Sequence, residues 1–83
     1  MPIHVRLLYF GQARDAAGKG EEDYVLPDGS SVDNLVERSS LAHSQIQKLR
    51  GSMQAAGNEE IAEPGQLLRD GDVVALLPPV AGG

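Results

Sequence analysis

The sequence predicts a small α+β domain, in which a mixed sheet carries one main helix across one of its faces. Three observations support this: an alternating stretch at the start of the chain, an amphipathic stretch in the middle and an apolar β-branched run near the end. The 83 residues suffice for one such domain and leave no room for a second core. Because the chain has only three aromatic residues, aliphatic side chains must fill most of that core.

The N-terminal part of the chain predicts two strands. Residues 3–10 alternate with the period of two that is typical of a strand. The segment 11–20, rich in glycine and alanine, predicts a connection long enough for one helical turn. A second strand is expected at about residues 22–26. The following Pro27-Asp28-Gly29 predicts a turn, because proline presets its own backbone angle and glycine accepts a positive φ.

The middle of the chain predicts one amphipathic helix over roughly residues 31–50. Ser30 or Ser31 is the expected N-cap, with Asp33 near the positive end of the helix dipole, and Gly51 suits the C-terminal end. The apolar stripe that we expect to face the core has helical spacing and consists of Val32, Leu35, Val36, Ala42, Ile46 and Leu49.

The C-terminal part of the chain predicts three further strands. Residues 52–57 and 59–62 are short candidates, with a turn expected at 58–60. Asp70-Gly71 predicts another turn. The apolar run Val73–Leu77 then predicts a central strand buried on both faces.

Charge and composition exclude several classes of function. A net charge of −5 and a pI near 4.7 argue against a nucleic-acid partner. The absence of cysteine removes disulfides, thiolate zinc sites and cysteine nucleophiles. The longest uncharged run has eleven residues, which is too short for a membrane span. Since the N-terminus also lacks the pattern of a signal peptide, we expect a cytoplasmic protein.

The chain contains no evident catalytic or metal-binding motif. His4 and His43 have no ligand spacing around them, so both are expected to be ordinary surface residues and no metal site is predicted. The acidic run 21–23 and the pair 59–60 are expected to be solvated faces, which could meet a basic partner.

The C-terminus is the segment where the sequence offers chemistry. Pro78 and Pro79 prevent a helix and remove two backbone donors, so residues 79–83 are expected to form an extended arm. A Gly82-Gly83 stem can enter a tunnel in which any Cβ would clash, and it would deliver the α-carboxylate into another protein's active site. That carboxylate needs activation, for example by ATP as an acyl-adenylate. The alternative is a simple mobile end.

Several motifs together resemble a known family, the small, sulfur-carrying subunit of molybdopterin synthase, which has the ubiquitin-like β-grasp fold. The resemblance runs over the whole chain. It rests on Phe10-x-x-x-Arg14-x-x-x-Gly18, on Leu68-x-Asp70-Gly71-Asp72-x-Val74-Ala75 and on the ending Pro78-Pro79-Val80-Ala81-Gly82-Gly83. The chain departs from the family pattern at Leu76-Leu77, where two phenylalanines are common, and at Gly57, where an aliphatic residue is common.

The resemblance implies a division into a β-grasp domain, residues 1–78, and a C-terminal tail, residues 79–83. It further implies that a ubiquitin-activating-like enzyme uses ATP to adenylate Gly83 and that the adenylate becomes a thiocarboxylate. The tail would then enter the large synthase subunit and donate sulfur to a cyclic pyranopterin precursor, forming the dithiolene of molybdopterin. The implied assembly is a heterotetramer. The carrier itself would bind no cofactor, and the catalytic side chains would belong to the large subunit.

The residues expected to act are the reactive Gly82 and Gly83 and a set that contacts the partner. For three of the contact residues, Phe10, Leu76 and Leu77, an ordinary place in the core is an equal alternative. Three other functions stay open: a ubiquitin-like modifier, a sulfur carrier for another pathway such as thiazole synthesis, and a plain interaction module. The full contact set is Phe10, Arg14, Leu76, Leu77, Pro78, Pro79, Val80 and Ala81.

Overall fold

The computed structural model describes residues 1–57 and 60–78, within which five strands form one mixed sheet and three α-helices pack against it. The strand order across the sheet is β2-β1-β5-β3-β4. A 3₁₀ turn, Arg50–Ser52, follows the last helix. The elements are β1 (Ile3–Tyr9), α1 (Gln12–Ala17), β2 (Glu21–Leu26), α2 (Val32–Ala42), α3 (Ser44–Leu49), β3 (Gln54–Gly57), β4 (Glu60–Ile61) and β5 (Val73–Leu77).

The pairing of the strands makes the sheet mixed, as predicted. β1 runs antiparallel to β2 and parallel to β5, while β3 runs antiparallel to both β5 and β4. A parallel neighbour requires a long crossover connection, and the chain between β1 and β5 supplies it together with all three helices. β3 extends to Gly57 in spite of the aliphatic residue that is common at that position in the family.

The helices cover only one face of this sheet, which we call the covered face. Alternate residues of β1 point into the core there, and each is at most 5% exposed: Ile3, Val5, Leu7 and Tyr9. They meet Leu35 of α2 and Ile46 of α3 in one apolar cluster. The alternate residues of the same strand lie on the opposite side, which we call the open face. The α+β architecture predicted from the sequence is therefore confirmed.

The predicted single helix over residues 31–50 is wrong, because the chain breaks at His43. The backbone of His43 is extended, with φ −133° and ψ 106°, and separates α2 from α3. Its side chain is held by the carboxylate of Glu22 on β2, at 2.8 Å between Nε2 and Oε1. A 3₁₀ turn continues the chain past Leu49, so Gly51 does not end the helix as predicted.

The buried stripe of the helices also differs from the prediction. Ala42 is exposed, whereas Ser39 and Ser40 are buried. Ser40 satisfies its hydroxyl by donating to the carbonyl of Val36, at 2.9 Å, and Ser39 bonds to the hydroxyl of Tyr9. Polar residues therefore occupy positions that hydropathy alone assigns to the surface.

The start of α2 confirms Ser31 as the N-cap, which forms a capping box with Asn34. The Ser31 hydroxyl accepts a hydrogen bond from the backbone of Asn34 at 3.2 Å, and the Asn34 side chain accepts one from the backbone of Ser31 at 2.9 Å. This capping box uses Asn34, while the carboxylate of Asp33 pairs with Arg50 at 3.0 Å.

β5 is not buried on both faces, contrary to the prediction. Its exposure alternates: Val74 and Leu76 are buried, whereas Val73 is 47% exposed and Leu77 is partly exposed. The reason is that helices pack on the covered face alone. The predicted turns at residues 27–29 and 70–71 are present, with Gly29 and Gly71 both at φ +88°. The predicted turn at 58–60 lies partly outside the described residues.

The described part of the chain contains no helix of sufficient length and apolarity to cross a membrane. The predicted tail, residues 79–83, lies outside the described residues.

Candidate functional site

The open face carries an apolar surface that runs across four strands. The pairing places Leu8 beside Ala75, Ala75 beside Ala56 and Ala56 beside Ile61, so these four side chains form one row. Three flanking side chains, of which two are close to half exposed, extend the row along the strands. We call the whole set the open-face patch: Leu8, Phe10, Ala56, Ile61, Val73, Ala75 and Leu77.

Phe10 lies at the end of the patch where β5 leads into the C-terminal segment. Its ring is 46% exposed, while its backbone N–H donates to the carbonyl of Leu76 at 3.2 Å. The backbone is thus tied to β5 and the ring remains available to a partner. A large aromatic ring on an otherwise solvated face is typical of a binding surface.

The two leucines before the prolines have different surroundings. Leu76 is 1% exposed and packs in the core. Of the two predicted roles, partner contact and core packing, only core packing fits. Its side chain does not lie on the open-face patch. Leu77 is partly exposed on the open face, opposite Gln54. Pro78 is also partly exposed and lies against Gly11.

Arg14 lies beside Phe10 at the same end of the sheet. It is exposed on α1, and its guanidinium group lies next to Gly20. An open cleft of about 600 Å³ between α1 and the ends of β1 and β2 is lined by Phe10, Arg14, Lys19 and Glu21, among others. The structure therefore brings Phe10, Arg14, Leu77 and Pro78 together at the point where the chain continues toward its C-terminus.

The opposite part of the open face is charged. Arg6 donates to the carboxylate of Asp23 at 2.8 Å and lies 3.3 Å from that of Glu21. The hydrogen bond raises the pKa of Arg6 and lowers the pKa of Asp23. Asp70 accepts the backbone N–H of His4 at 2.7 Å, which lowers the pKa of its carboxyl group. The open face is thus divided into a charged part near β2 and an apolar part over β5, β3 and β4.

A polar cluster that sequence reasoning missed lies on the covered face behind Phe10. The Glu22 carboxylate accepts hydrogen bonds from the hydroxyls of Tyr9 and Tyr24, at 2.8 and 2.6 Å, and from His43 at 2.8 Å. Ser39 bonds to the Tyr9 hydroxyl at 2.8 Å. We call these five residues the Glu22 cluster.

Burial and hydrogen bonding within the Glu22 cluster shift the pKa values of Glu22, Tyr9 and Tyr24. Burial by itself would raise the pKa of Glu22, but the hydrogen bonds from Tyr24, His43 and Tyr9 outweigh it and lower the pKa to about 2. Burial raises the pKa of Tyr9 and of Tyr24. Glu22 therefore stays ionised and serves as the acceptor around which the neutral hydroxyl groups are arranged.

Two predictions about this region are wrong. The Glu22 side chain is 20% exposed and that of His43 is 18% exposed, so neither is an ordinary surface group. The signal was present in the period of β2, since Glu22 shares a face with the buried Tyr24 and Leu26. His4, in contrast, is exposed as predicted.

Five predicted site residues lie outside the described residues: Pro79, Val80, Ala81, Gly82 and Gly83. Within residues 1–57 and 60–78, no three potential ligands gather in a way that could hold a metal ion.

Comparison with known proteins identifies the family. Residues 7–83 match the ThiS family. The molybdopterin synthase sulfur carrier subunit of Mycobacterium tuberculosis is 37% identical over 82 residues, which cover 98% of this chain and 99% of the relative. The protein of the same name from Chlamydomonas reinhardtii is 32% identical over 83 residues, covering 98% of this chain and all of the relative.

Solved structures agree in fold. The putative molybdopterin converting factor subunit 1 of Pyrococcus furiosus is 30% identical and superposes with a TM-score of 0.85, covering 94% of this chain and 99% of its own. Two more distant structures share the fold alone. One is the small archaeal modifier protein 1 of H. volcanii, with 22% identity, a TM-score of 0.85 and coverage of 94% and 99%. The other is the complex of subunits 1 and 2 of the molybdopterin-converting factor from Helicobacter pylori, with 24% identity, a TM-score of 0.65 and coverage of 98% and 100%.

The family match spans nearly the whole chain, and the fold agrees with the β-grasp architecture that the motifs implied. The chain belongs to the ThiS family, and it is similar over nearly its whole length to sulfur carrier subunits of molybdopterin synthase.

Proposed function

We propose that this protein is the sulfur carrier for molybdopterin synthesis and that a thiocarboxylate on Gly83 holds the sulfur. The observation that supports this most strongly is the match over 98% of the chain to relatives named as molybdopterin synthase sulfur carrier subunits. The proposed site of sulfur attachment is the carboxylate of Gly83, which no side chain of Gly82 or Gly83 would shield.

The proposed chemistry takes place at that carboxylate in two steps. In the first step, an oxygen of the Gly83 carboxylate attacks the α-phosphate of ATP, pyrophosphate leaves and an acyl-adenylate forms. In the second step, hydrosulfide attacks the acyl carbon and AMP leaves with one carboxylate oxygen, so that sulfur takes the place of that oxygen. A ubiquitin-activating-like enzyme binds ATP and supplies the catalytic groups for both steps, and the carrier binds no cofactor of its own. Because these steps consume ATP, we place the carrier in the cytoplasm.

The proposed partner that takes the sulfur is the large subunit of the synthase. The complex of subunits 1 and 2 from Helicobacter pylori supports a partner of this kind. The open-face patch supplies an apolar docking surface next to the segment that leads to the tail, with Arg14 as a charged contact at its edge. Docking there would place residues 79–83 in the large subunit, whose side chains then transfer the sulfur to the pterin precursor. A heterotetramer of two small and two large subunits is the proposed assembly.

Intact-protein mass spectrometry tests the sulfur-carrying step. The protein is incubated with ATP, a sulfide source and the activating enzyme of the same organism. We expect a gain of about 16 Da, the difference between sulfur and oxygen, in the intact chain and no gain in a variant that lacks Gly83. No gain in the intact chain, with an enzyme that forms AMP from ATP, would contradict the proposal.

The same reaction distinguishes the alternatives. If the chain is a protein modifier, its mass appears joined through an isopeptide bond to lysines of other proteins. If it is a thiazole carrier, it gains sulfur but gives none to the large subunit of molybdopterin synthase. A plain interaction module keeps its activity when Gly82 and Gly83 are removed.

A further inference from the structure

We propose that Gly11 is a positioning residue, which sets the direction in which the C-terminal tail leaves the domain by letting Pro78 pack directly on the backbone. The inference rests on the proposed function, since the tail matters only if Gly83 must reach an active site in another protein.

The contact between Gly11 and Pro78 leaves no space for a side chain. A Cβ at Gly11 would lie 2.9 Å from Cγ of Pro78 and 3.6 Å from its Cβ and Cδ. A carbon–carbon contact of 2.9 Å is well inside van der Waals distance, so the proline ring would have to move. The backbone of Gly11 is at φ +54° and ψ −126°, a conformation that favours glycine.

Other glycines of the described chain with positive φ lack such a contact. Gly18, Gly29 and Gly71 have φ between +75° and +88°, and a Cβ at any of them would meet nothing within 4 Å. Their need for glycine is conformational only. Gly11 combines the same conformational need with a close approach to the segment that leads to the tail.

The turn around Gly11 is fixed on both sides. The N–H of Phe10 donates to the carbonyl of Leu76 at 3.2 Å, which joins the turn to β5. The carbonyl of Gly11 accepts the N–H of Asp15 at 3.2 Å, which joins it to the first turn of α1. Both hydrogen bonds hold the turn against Pro78, so a side chain at Gly11 would push Pro78 away and also strain the bond between Phe10 and Leu76.

In the extended form that entry into a partner's tunnel would require, the tail would carry a displacement of Pro78 to its reactive end. Five residues separate Pro78 from the end of Gly83, a span of about 16 Å when extended. Tilting such an arm by about 20° moves its end by about 5 Å, whereas a misplacement of about 1 Å is enough to slow an enzymatic reaction a hundredfold. The direction set at Gly11 is therefore of consequence for sulfur transfer.

The test compares Gly11→Ala with Gly18→Ala, its matched control at the other end of α1. Both substitutions place a methyl group at a positive φ, but only Gly11→Ala puts it against Pro78. The reconstituted synthase with its activating enzyme gives kcat and KM for sulfur transfer. Amide hydrogen exchange at Phe10 reports the bond to Leu76 independently of activity, and urea unfolding reports stability.

We expect Gly11→Ala to lower kcat at least about tenfold with a smaller change in KM, because the tail is misdirected while the open-face patch still docks. Gly18→Ala should stay within about twofold of the wild type. It should also lose less stability than Gly11→Ala, because the Gly18 backbone (φ +75°, ψ 14°) is left-handed, a conformation that alanine can adopt, whereas the Gly11 backbone (φ +54°, ψ −126°) is not. Exchange at Phe10 should accelerate in Gly11→Ala alone.

A second variant separates the steric contact from strain in the turn. Pro78→Ala removes Cγ but leaves the chain at Gly11 unchanged. In the Pro78→Ala background, Gly11→Ala should lower kcat by less than about twofold, because the atom it strikes is gone.

Equal kcat and equal Phe10 exchange in Gly11→Ala and Gly18→Ala would overturn the inference, as would an unchanged effect of Gly11→Ala in the Pro78→Ala background. Failure of the proposed function is a separate result: the wild type itself then gains no sulfur. In that case amide exchange at Phe10 still tests the contact between Gly11 and Pro78. Equal exchange in Gly11→Ala and Gly18→Ala would overturn the inference.

Discussion

The two faces of the sheet are built from neighbouring residues of the same strands, yet they have opposite character. On β1, Leu7 is fully buried under the helices, while the next residue, Leu8, begins the apolar row of the open face. On β2, Glu22 accepts hydrogen bonds from three polar side chains on the covered face, while Glu21 and Asp23 on either side lie in solvent around Arg6. The same residue types are therefore enclosed by the fold on one face and exposed to solvent on the other.

The largest expected effect on stability comes from Leu7 and Leu8, the apolar neighbours on β1. Leu7→Ala should lower the free energy of unfolding by about 3 kcal/mol, since it opens a cavity in the core, while Leu8→Ala should cost less than about 1 kcal/mol. Urea denaturation of both variants measures the difference. Equal losses in the two variants would contradict the division between the faces.

The next largest effect on stability is expected from Glu22 and its exposed neighbour Glu21 on β2. Glu22→Gln should lower the free energy of unfolding by about 2 kcal/mol at pH 7, because it weakens three hydrogen bonds to a charged acceptor, while Glu21→Gln serves as the exposed control and should change little. Glu21 is a suitable control because its side chain is 59% exposed.

The pH dependence of stability tests the role of Glu22 further. Folding lowers the pKa of Glu22 from its ordinary value of 4.5 to about 2. Its contribution is therefore complete above about pH 4.5 and is lost as the pH falls toward 2. Urea midpoints measured between pH 2 and 7 should fall less steeply in Glu22→Gln than in the wild type over this window. Parallel curves for the two proteins would contradict the assigned role of Glu22.

A Phe10 variant tests whether the open face binds the large subunit. Phe10→Ala should weaken docking to the large subunit about tenfold, since it removes an exposed aromatic ring from the patch. The free energy of unfolding should change by less than about 1 kcal/mol. Titration calorimetry and urea denaturation of one preparation give both values, and a stability loss without weaker docking would place Phe10 with the core.

The smallest effect is expected from the exposed ion pair on β1 and β2. Asp23→Asn removes the 2.8 Å contact with Arg6, but solvent screens both groups, so no measurable change in the urea midpoint is expected. A clear loss of stability that disappears in high salt would show that the charged part of the open face contributes to folding.

Local patterns in the sequence were sufficient for most of the architecture. Alternation identified β1, a continuous apolar run identified β5, and the resemblance in motifs gave the fold and the family. The break at His43 was missed because its cause is not local: the histidine is held by Glu22, which is 21 residues away in the chain. Leu76 and Leu77 are identical residues in sequence, and only the position of the helices decides that the first is buried and the second faces outward.

Only part of the candidate site was predicted from the sequence, because some of its residues come together through contacts between distant parts of the chain. Phe10, Arg14, Leu77 and Pro78 were named from the motifs, and the structure brings them to one end of the sheet. Ala56 and Ile61 were missed, because they join the patch through pairing between strands distant in sequence. The approach of Pro78 to Gly11 likewise depends on the parallel pairing of the first and last strands.

The measurement that tests the division between the faces most directly is an NMR titration of the ¹⁵N-labelled protein with the large synthase subunit. We expect the amide signals of the open-face patch, above all Leu8, Phe10 and Leu77, to shift or broaden, while those of exposed α2 residues such as Glu37 and Arg38 stay in place. Changes concentrated on α2 and α3, with the open-face patch unaffected, would contradict the account.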